Sequence, residues 1–269
     1  MPRSGRVALA LLLLASIAHP QPLPKRTLVW SDEFDGPSGS RVDASRWVTE
    51  TGGHGWGNHE LQYYTDRAAN ASLDGSGNLV IRTLRERFEG SGVAREYTSA
   101  RLKTQGLFEQ SYGRFEARIQ VPRGQGIWPA FWLLGGDIKS VGWPRCGEID
   151  VMENIGKEPS VVHGTLHGPG FSGAASLGGA YTLSGGAAFA DDFHVFAAEW
   201  EPERVRFFVD GNLYHTRTRA ELAPAQRWVF DHPFFILLNV AVGGDWPGGP
   251  DGTTVFPQAM RVDYVRVYR

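Results

Sequence analysis

The segment CGEIDVMENIG, residues 146–156, sets three carboxylates, Glu148, Asp150 and Glu153, among the apolar side chains of Ile149, Val151, Met152 and Ile155. Acids are rarely buried without a task. A pair of carboxyls suits substitution at an acetal carbon, where one must be ionised to attack and the other protonated to release the leaving oxygen. In a regular strand Glu148 and Asp150 share a face, while Glu153 points to the other. One extra residue between Asp150 and Glu153, a β-bulge, returns Glu153 to the shared face. The two glutamates are then about 13 Å apart at Cα, at roughly 3.3 Å per residue. With both side chains leaning inward, their carboxyls come to about 5–6 Å, the separation of double displacement rather than inverting hydrolysis. Asp150 between them adds a negative charge that favours retention of a shared proton and can orient the attacking carboxylate. The plainer alternative is an exposed strand whose acids face solvent.

His163 and His167, four apart in VVHGTLHG, raise a metal reading beside these acids. Gly164, Gly168 and the β-branched flanks oppose the helix that a His-x-x-x-His zinc site uses, so a histidine bonded to substrate or to an acid fits better. Cys146 is the single cysteine and reads as a small buried hydrophobe rather than a nucleophile. Four of the nine tryptophans, Trp56, Trp128, Trp143 and Trp246, lie in Gly/Pro frames and are expected in loops, where indole faces suit the apolar C–H faces of sugar rings. Trp132 follows on the strand face of Trp128, whereas Trp30, Trp47, Trp200 and Trp228 are expected in the core.

Strands must carry this constellation. GRFEARIQV (113–121) alternates without fault, and NLVIRTL (78–84), FHVFAAEW (193–200), VRFFVDGNLYHTR (205–217), FFILLNVAV (234–242) and RVDYVRVYR (261–269) read similarly. Asp210-Gly211 marks a hairpin turn, and only residues 219–225 offer a turn or two of helix. With 34 glycines and 16 prolines as punctuation, two packed antiparallel sheets are predicted within a single domain.

The N-terminal stretch 1–18 combines Arg3 and Arg6, an apolar run and small residues at Ser16 and Ala18, the pattern of a secretory signal. A Pro-rich linker, HPQPLPKR, follows at 19–26, and the domain is expected over 27–269. The formal charge of −2, made more negative by loss of two arginines, disfavours nucleic acid or an anionic membrane as partner. Asn70-Ala71-Ser72 forms a glycosylation sequon.

Seven segments, GEIDVME, WPAFWLLG, GNHELQYYT, SYGRFEARI, HGTLHGPGFSG, NVAVGGDWPG and MRVDYVRVY, together make the chain resemble the endo-β-1,3-glucanases (laminarinases) of glycoside hydrolase family 16 over residues 27–269. The resemblance implies an all-β jelly-roll sandwich of two antiparallel sheets with an open substrate cleft on its concave face, acting on β-glucan with retention. It implies Glu148 as nucleophile, Asp150 as assistant and Glu153 as acid/base, with Met152 as the inserted residue that separates laminarinases from relatives with a regular strand. By the same resemblance Asn58, Arg101, Trp128, Trp132, Trp143, His167 and Trp246 meet sugar, no cofactor is required for catalysis, and a structural calcium is held through Glu33, the Gly75 carbonyl and Asp263. Mixed-linkage β-1,3-1,4-glucanases, agarases and carrageenases share the acids, and non-catalytic β-glucan-binding modules share the fold without them. A secreted monomer, extracellular or periplasmic, is the expected form.

Overall fold

The computed structural model describes residues 26–269 together with Met1, so the expected signal at 1–18 and nearly all of the 19–26 linker lie outside the described residues. Strand alternation builds the architecture. In Gly113–Gln120 the side chains of Phe115, Ala117 and Ile119 are fully buried, and Arg114, Glu116 and Arg118 line the opposite face. The hairpin at Asp210-Gly211 forms as read, with φ of 49° and 78°, the left-handed pair that a two-residue turn requires. The helical signal near 219–225 gives one 3-10 turn, Arg219–Glu221, closed by a Thr218–Glu221 capping box.

Two sheets result. The larger runs Asn212–Thr218, Arg204–Val209, His194–Glu201, Gly113–Gln120, Gln258–Tyr268, Leu79–Gly90, Val93–Ser99 and Gln62–Tyr64, with Leu28–Asp32 and Ala71–Leu73 paired off this path. The smaller runs Leu177–Thr182, Val161–His167, Glu148–Glu153, Ile127–Gly135, Phe234–Val242, Arg101–Lys103 and Val48–Glu50, every neighbour antiparallel. This is the two-layered β-jelly-roll sandwich expected from the sequence. Its core joins Phe115, Phe196, Trp200 and Phe207 of one sheet to Phe131, Leu133, Ile149, Val162, Leu166 and Ile236 of the other. Trp200 meets Phe234 across the layers with ring centroids 4.9 Å apart.

Phe234–Val242 is buried at all nine positions, so both of its faces are covered. Inward, Ile236, Leu238 and Val240 join the main core. Outward, Phe235 and Leu237 pack with Leu134 and Cys146 beneath the short helix Ile138–Val141, while Asn239 and Ala241 line a cleft. The sequon fails for a structural reason: Asn70 is fully buried, and its amide donates to Arg82 O and Thr98 Oγ1.

Candidate active site

The outward face of the smaller sheet carries a cleft of about 1090 Å³. Glu148 and Asp150 project into it because Ile149 between them faces the core. Glu153 also lines the cleft, and the ladder shows how. Asp150 stands opposite Trp132, Met152 opposite Phe131 and Glu153 opposite Ala130, which leaves Val151 without a partner on that strand. Toward the neighbouring strand the register slips between Asp150↔Thr165 and Glu153↔His163. The predicted bulge is present, with a correction: the residue without a partner is Val151, not Met152. Two successive apolar side chains, both fully buried, turn into the core and bring the next residue back to the cleft.

Each outer carboxylate receives an indole N–H. Trp143 Nε1 donates to Glu148 Oε2 at 2.9 Å, and Trp128 Nε1 to Glu153 Oε1 at 3.1 Å. His167 Nε2 lies 3.0 Å from Asp150 Oδ2 and 3.8 Å from Glu148 Oε1. Burial, then the charge of Asp150, pushes Glu148 up to about 8 against the pull of His167 and the Trp143 bond. Burial also raises Asp150, which is hydrogen-bonded to Glu148. Glu153 is held well above the ordinary carboxylate range by burial and by the charges of Asp150 and Glu148, opposed by His167 and Trp128. Three acids so placed do not all ionise near neutral pH. A proton on Glu153 and one shared by Glu148 and Asp150 leave an acid facing a potential nucleophile across the cleft.

Sugar-sized surfaces flank the acids. The Arg101 guanidinium is stacked between Trp56 and Trp132, 4.6 and 4.8 Å from the ring centroids, and its Nε donates to Glu50 Oε2 at 2.7 Å. Trp246 meets Trp128 edge-on at 5.5 Å and His163 at 5.0 Å, with its carbonyl accepting from Lys157 Nζ at 2.7 Å. Asn58 lines the same cleft, and its carbonyl accepts from the Asp245 N–H. All seven residues expected to meet sugar therefore border one cavity with the three acids. Trp128 reaches it from the strand Ile127–Gly135 rather than from a loop.

Residues 54–266 match the model of glycosyl hydrolases family 16. The chain belongs to that family. It is 45% identical over 257 residues to a beta-glucanase of Rhodothermus marinus, covering 91% of this chain and 86% of the relative. Its fold is similar to the laminarinase catalytic domain of Thermotoga maritima MSB8, at 52% identity and a TM-score of 0.86 with 91% of this chain and 98% of that chain covered. It is similar too to the endo-beta-1,3-glucanase of Pyrococcus furiosus, at 49% identity and a TM-score of 0.86 with 90% and 94% covered.

Within this family 16 cleft, Glu148, Asp150 and His167 place one ligand atom each within 4.8 Å of one another, a spacing that a cation can use. The histidine argues otherwise. Its Nδ1 accepts the Gly173 N–H at 3.2 Å, which places the proton of a neutral ring on Nε2 and leaves that nitrogen no lone pair for a metal, although Nε2 makes no hydrogen bond to the nearby Asp150 Oδ2. His163 shares the sheet face of His167, as the sequence indicated, but turns to Glu158 Oε2 at 3.2 Å instead of toward the acids. Cys146 is buried and inert, its thiol pushed up to about 12 by burial and by the charges of Glu148 and Asp137.

The sequence reading missed a buried polar chain behind the cleft floor. Trp132 Nε1 donates to Asn239 Oδ1 at 2.8 Å, Asn239 Nδ2 to Tyr64 OH at 3.1 Å, and Tyr64 OH to Glu60 Oε2 at 3.1 Å. Gln62 and Asn58 donate to the same Glu60, whose carboxyl is raised by burial. The available signal was Glu60, Gln62 and Tyr64 at alternate positions in GNHELQYYT and a lone Asn in FFILLNVAV.

The residues of the expected calcium site lie on another part of the molecule. The Glu33 carboxylate takes a two-pronged bond from Arg266 at 3.0 and 2.7 Å, Asp263 accepts from Arg118 at 2.7 Å, and Gly75 sits in a turn at φ +83°.

Proposed function

We propose that this family 16 chain is a secreted endo-β-1,3-glucanase that cleaves laminarin-like β-glucans with retention. The observation that carries the mechanism is the bulge at Val151, which sets Glu148 and Glu153 on one cleft face, each with its own indole donor. Identity near one half to a laminarinase catalytic domain and to an endo-beta-1,3-glucanase, over almost the whole domain, supports the substrate.

In the first step Glu148, ionised, attacks the anomeric carbon while Glu153 gives its proton to the departing glycosidic oxygen, leaving a glycosyl ester on Glu148. In the second, Glu153 takes a proton from water, the water oxygen attacks the same carbon, and Glu148 is released as carboxylate. Asp150 holds the shared proton away from the attacking oxygen. Trp56, Trp128, Trp132, Trp143 and Trp246 give ring faces for glucose units, with Arg101, Asn58 and His167 as polar contacts. The retained acids set this reading apart from a glucan-binding module.

A structural calcium at Glu33, Gly75 and Asp263 fits main-chain rather than carboxylate ligation, because both side chains are engaged by arginines. Asp263 lies at a register slip between Val262 and Tyr264, where the ladder leaves main-chain groups for other partners. Among the described residues no helix is long and apolar enough to cross a membrane; export through residues 1–18 and action as a monomer complete the proposal.

The deciding experiment is reducing-sugar release from laminarin, barley β-glucan, carboxymethylcellulose and agarose, with Glu148→Gln as blank. Laminarin should be the preferred substrate. Preference for barley glucan or agarose overturns the linkage, and silence on all four overturns the enzyme.

A further inference from the structure

Glu50, Arg101, Asn239, Ala130 and Glu153 stand opposite one another in a single cross-strand row of the smaller sheet, so all five belong to its cleft face. Arg101 is three strands from Glu153, about 14 Å at roughly 4.8 Å per strand, and thus remote from the bond that breaks. Its guanidinium has little freedom. The Trp56 and Trp132 rings stack on it with centroids at 4.6 and 4.8 Å, and its Nε–H donates to Glu50 Oε2 at 2.7 Å. Both rings have anchors of their own: Trp56 Nε1 donates to Gly52 O at 3.2 Å and Trp132 Nε1 to Asn239 Oδ1 at 2.8 Å. The second oxygen of Glu50, Oε1, accepts from Lys103 Nζ at 2.6 Å. Lys103 lies two residues beyond Arg101 on the strand Arg101–Lys103 and so shares its face. The carboxylate is held at both oxygens and cannot rotate away from Arg101 without breaking a bond. Burial resists ionisation of Glu50, but Arg101 and Lys103 outweigh it and hold the carboxyl below the ordinary carboxylate range.

We infer that Glu50 is a positioning residue for glucan binding: clamped by Lys103, it fixes the Arg101 guanidinium against Trp56 and Trp132 so that the terminal amino groups remain to donate to a sugar unit in the cleft. Glu50 and Lys103 stand outside the cleft lining and Arg101 within it, so the carboxylate acts through the arginine and not on the polymer. A guanidinium suits this task because its plane stacks on indole while its edge keeps several N–H groups for other partners. The side chains of Glu50, Arg101 and Lys103 are 19%, 14% and 18% exposed, which shields the pairing from the water that weakens ion pairs at an open surface. Three strands from the acids, the contact is made equally in the bound substrate and in the transition state, and such binding shows in KM and not in kcat. The inference rests on the glucanase reading and adds to it a residue that the sequence gave no reason to place near the site.

A double-mutant cycle separates action through Arg101 from a merely structural role. The experiment is laminarin hydrolysis by the full chain and by Glu50→Ala, Glu50→Gln, Lys103→Ala, Arg101→Ala and the Glu50→Ala/Arg101→Ala double variant, with kcat, KM and a thermal melt for each. Glu50→Ala should raise KM about tenfold, the size of one lost charge-assisted hydrogen bond, with kcat changed less than threefold. Glu50→Gln keeps an acceptor for the Arg101 Nε–H and should bring KM back to within about threefold of wild type. Lys103→Ala leaves the Arg101 bond in place and should raise KM less than Glu50→Ala does. In the double variant KM should match that of Arg101→Ala within about twofold, because Glu50 has nothing left to position. KM factors that multiply in the double variant make the two residues independent and overturn the inference. A Glu50→Ala enzyme that melts earlier but keeps its KM makes Glu50 a structural residue, and one that loses kcat alone ties it to the acids; either result overturns the inference. Should Glu50→Ala fail to fold, Glu50→Asp, which keeps the charge and shortens the reach, takes its place in the same cycle. A wild-type chain that does not hydrolyse laminarin removes the glucanase reading and the inference with it; a working wild type with any of the contrary patterns removes the role of Glu50 alone.

Discussion

Trp143 donates its indole N–H to Glu148 Oε2 at 2.9 Å from a ring that is 49% exposed at the rim of the cleft. A donor bonded to a carboxylate favours the ionised form, and here it opposes the burial that raises Glu148. Trp143→Phe keeps the ring face and removes the donor. Glu148 should then need a higher pH to ionise, and the acid limb of the laminarin pH–rate profile should move upward by about half to one unit. An unmoved limb would show that the bond does not bear on the ionisation governing the rate.

The bulge predicts an effect of length, not of side-chain chemistry. Deleting Val151, or Met152 in its place, makes the strand regular and turns Glu153 from the cleft toward the core. Hydrolysis of laminarin should fall by at least 1000-fold, beyond what any single substitution at these two positions produces. Substantial activity in either deletion variant would mean that the register does not control Glu153.

Raised carboxyls also leave a signature in stability. Glu148 has an ordinary value of 4.5 and a folded value of about 8, so the folded chain binds the proton more tightly than the unfolded chain does. Its contribution to stability is fully present below about 4.5 and is lost as the pH rises toward 8. Glu148→Gln removes that loss. Its Tm should exceed the wild-type value at pH 8 by about 3–6 °C, on the order of 1–2 kcal/mol for a domain of this size, and the gap should close near pH 4.5. A gap that is constant across this range would place the difference in packing instead.

Tyr64 joins Glu60 to Asn239 and so holds Trp132 through the Asn239 amide. Tyr64→Phe leaves two buried polar groups short of a partner, with an expected loss of about 1–3 kcal/mol in urea unfolding. The same variant should raise KM for laminarin severalfold through a less fixed Trp132, with a smaller effect on kcat. A change in kcat alone would argue that the chain acts on the acids, not on the sugar platform.

How much of this was legible in sequence follows from the range of each signal. Alternation in GRFEARIQV and the Asp210-Gly211 turn are local, and both formed as read. The bulge was visible as a conflict of parity between Glu148 and Glu153, but parity counts residues without saying which one is left over, and pairing with Phe131 decided for Val151. The Pro129 neighbour of Trp128 points to a loop, whereas the strand continues through both, as Val240 stands opposite Pro129. The Glu60–Tyr64–Asn239 chain joins side chains 175 positions apart in sequence, and no periodicity reports such a meeting.

Asn70 carries a consequence for the choice of expression host. Cells that attach oligosaccharides to nascent chains during translocation meet the sequon before folding conceals it, yet in the finished domain that amide is fully enclosed and bonded to Arg82 and Thr98. A glycan there and the native packing exclude one another. In a yeast or insect secretory pathway the modified fraction should be retained and degraded, whereas Asn70→Asp or expression in bacteria avoids the competition.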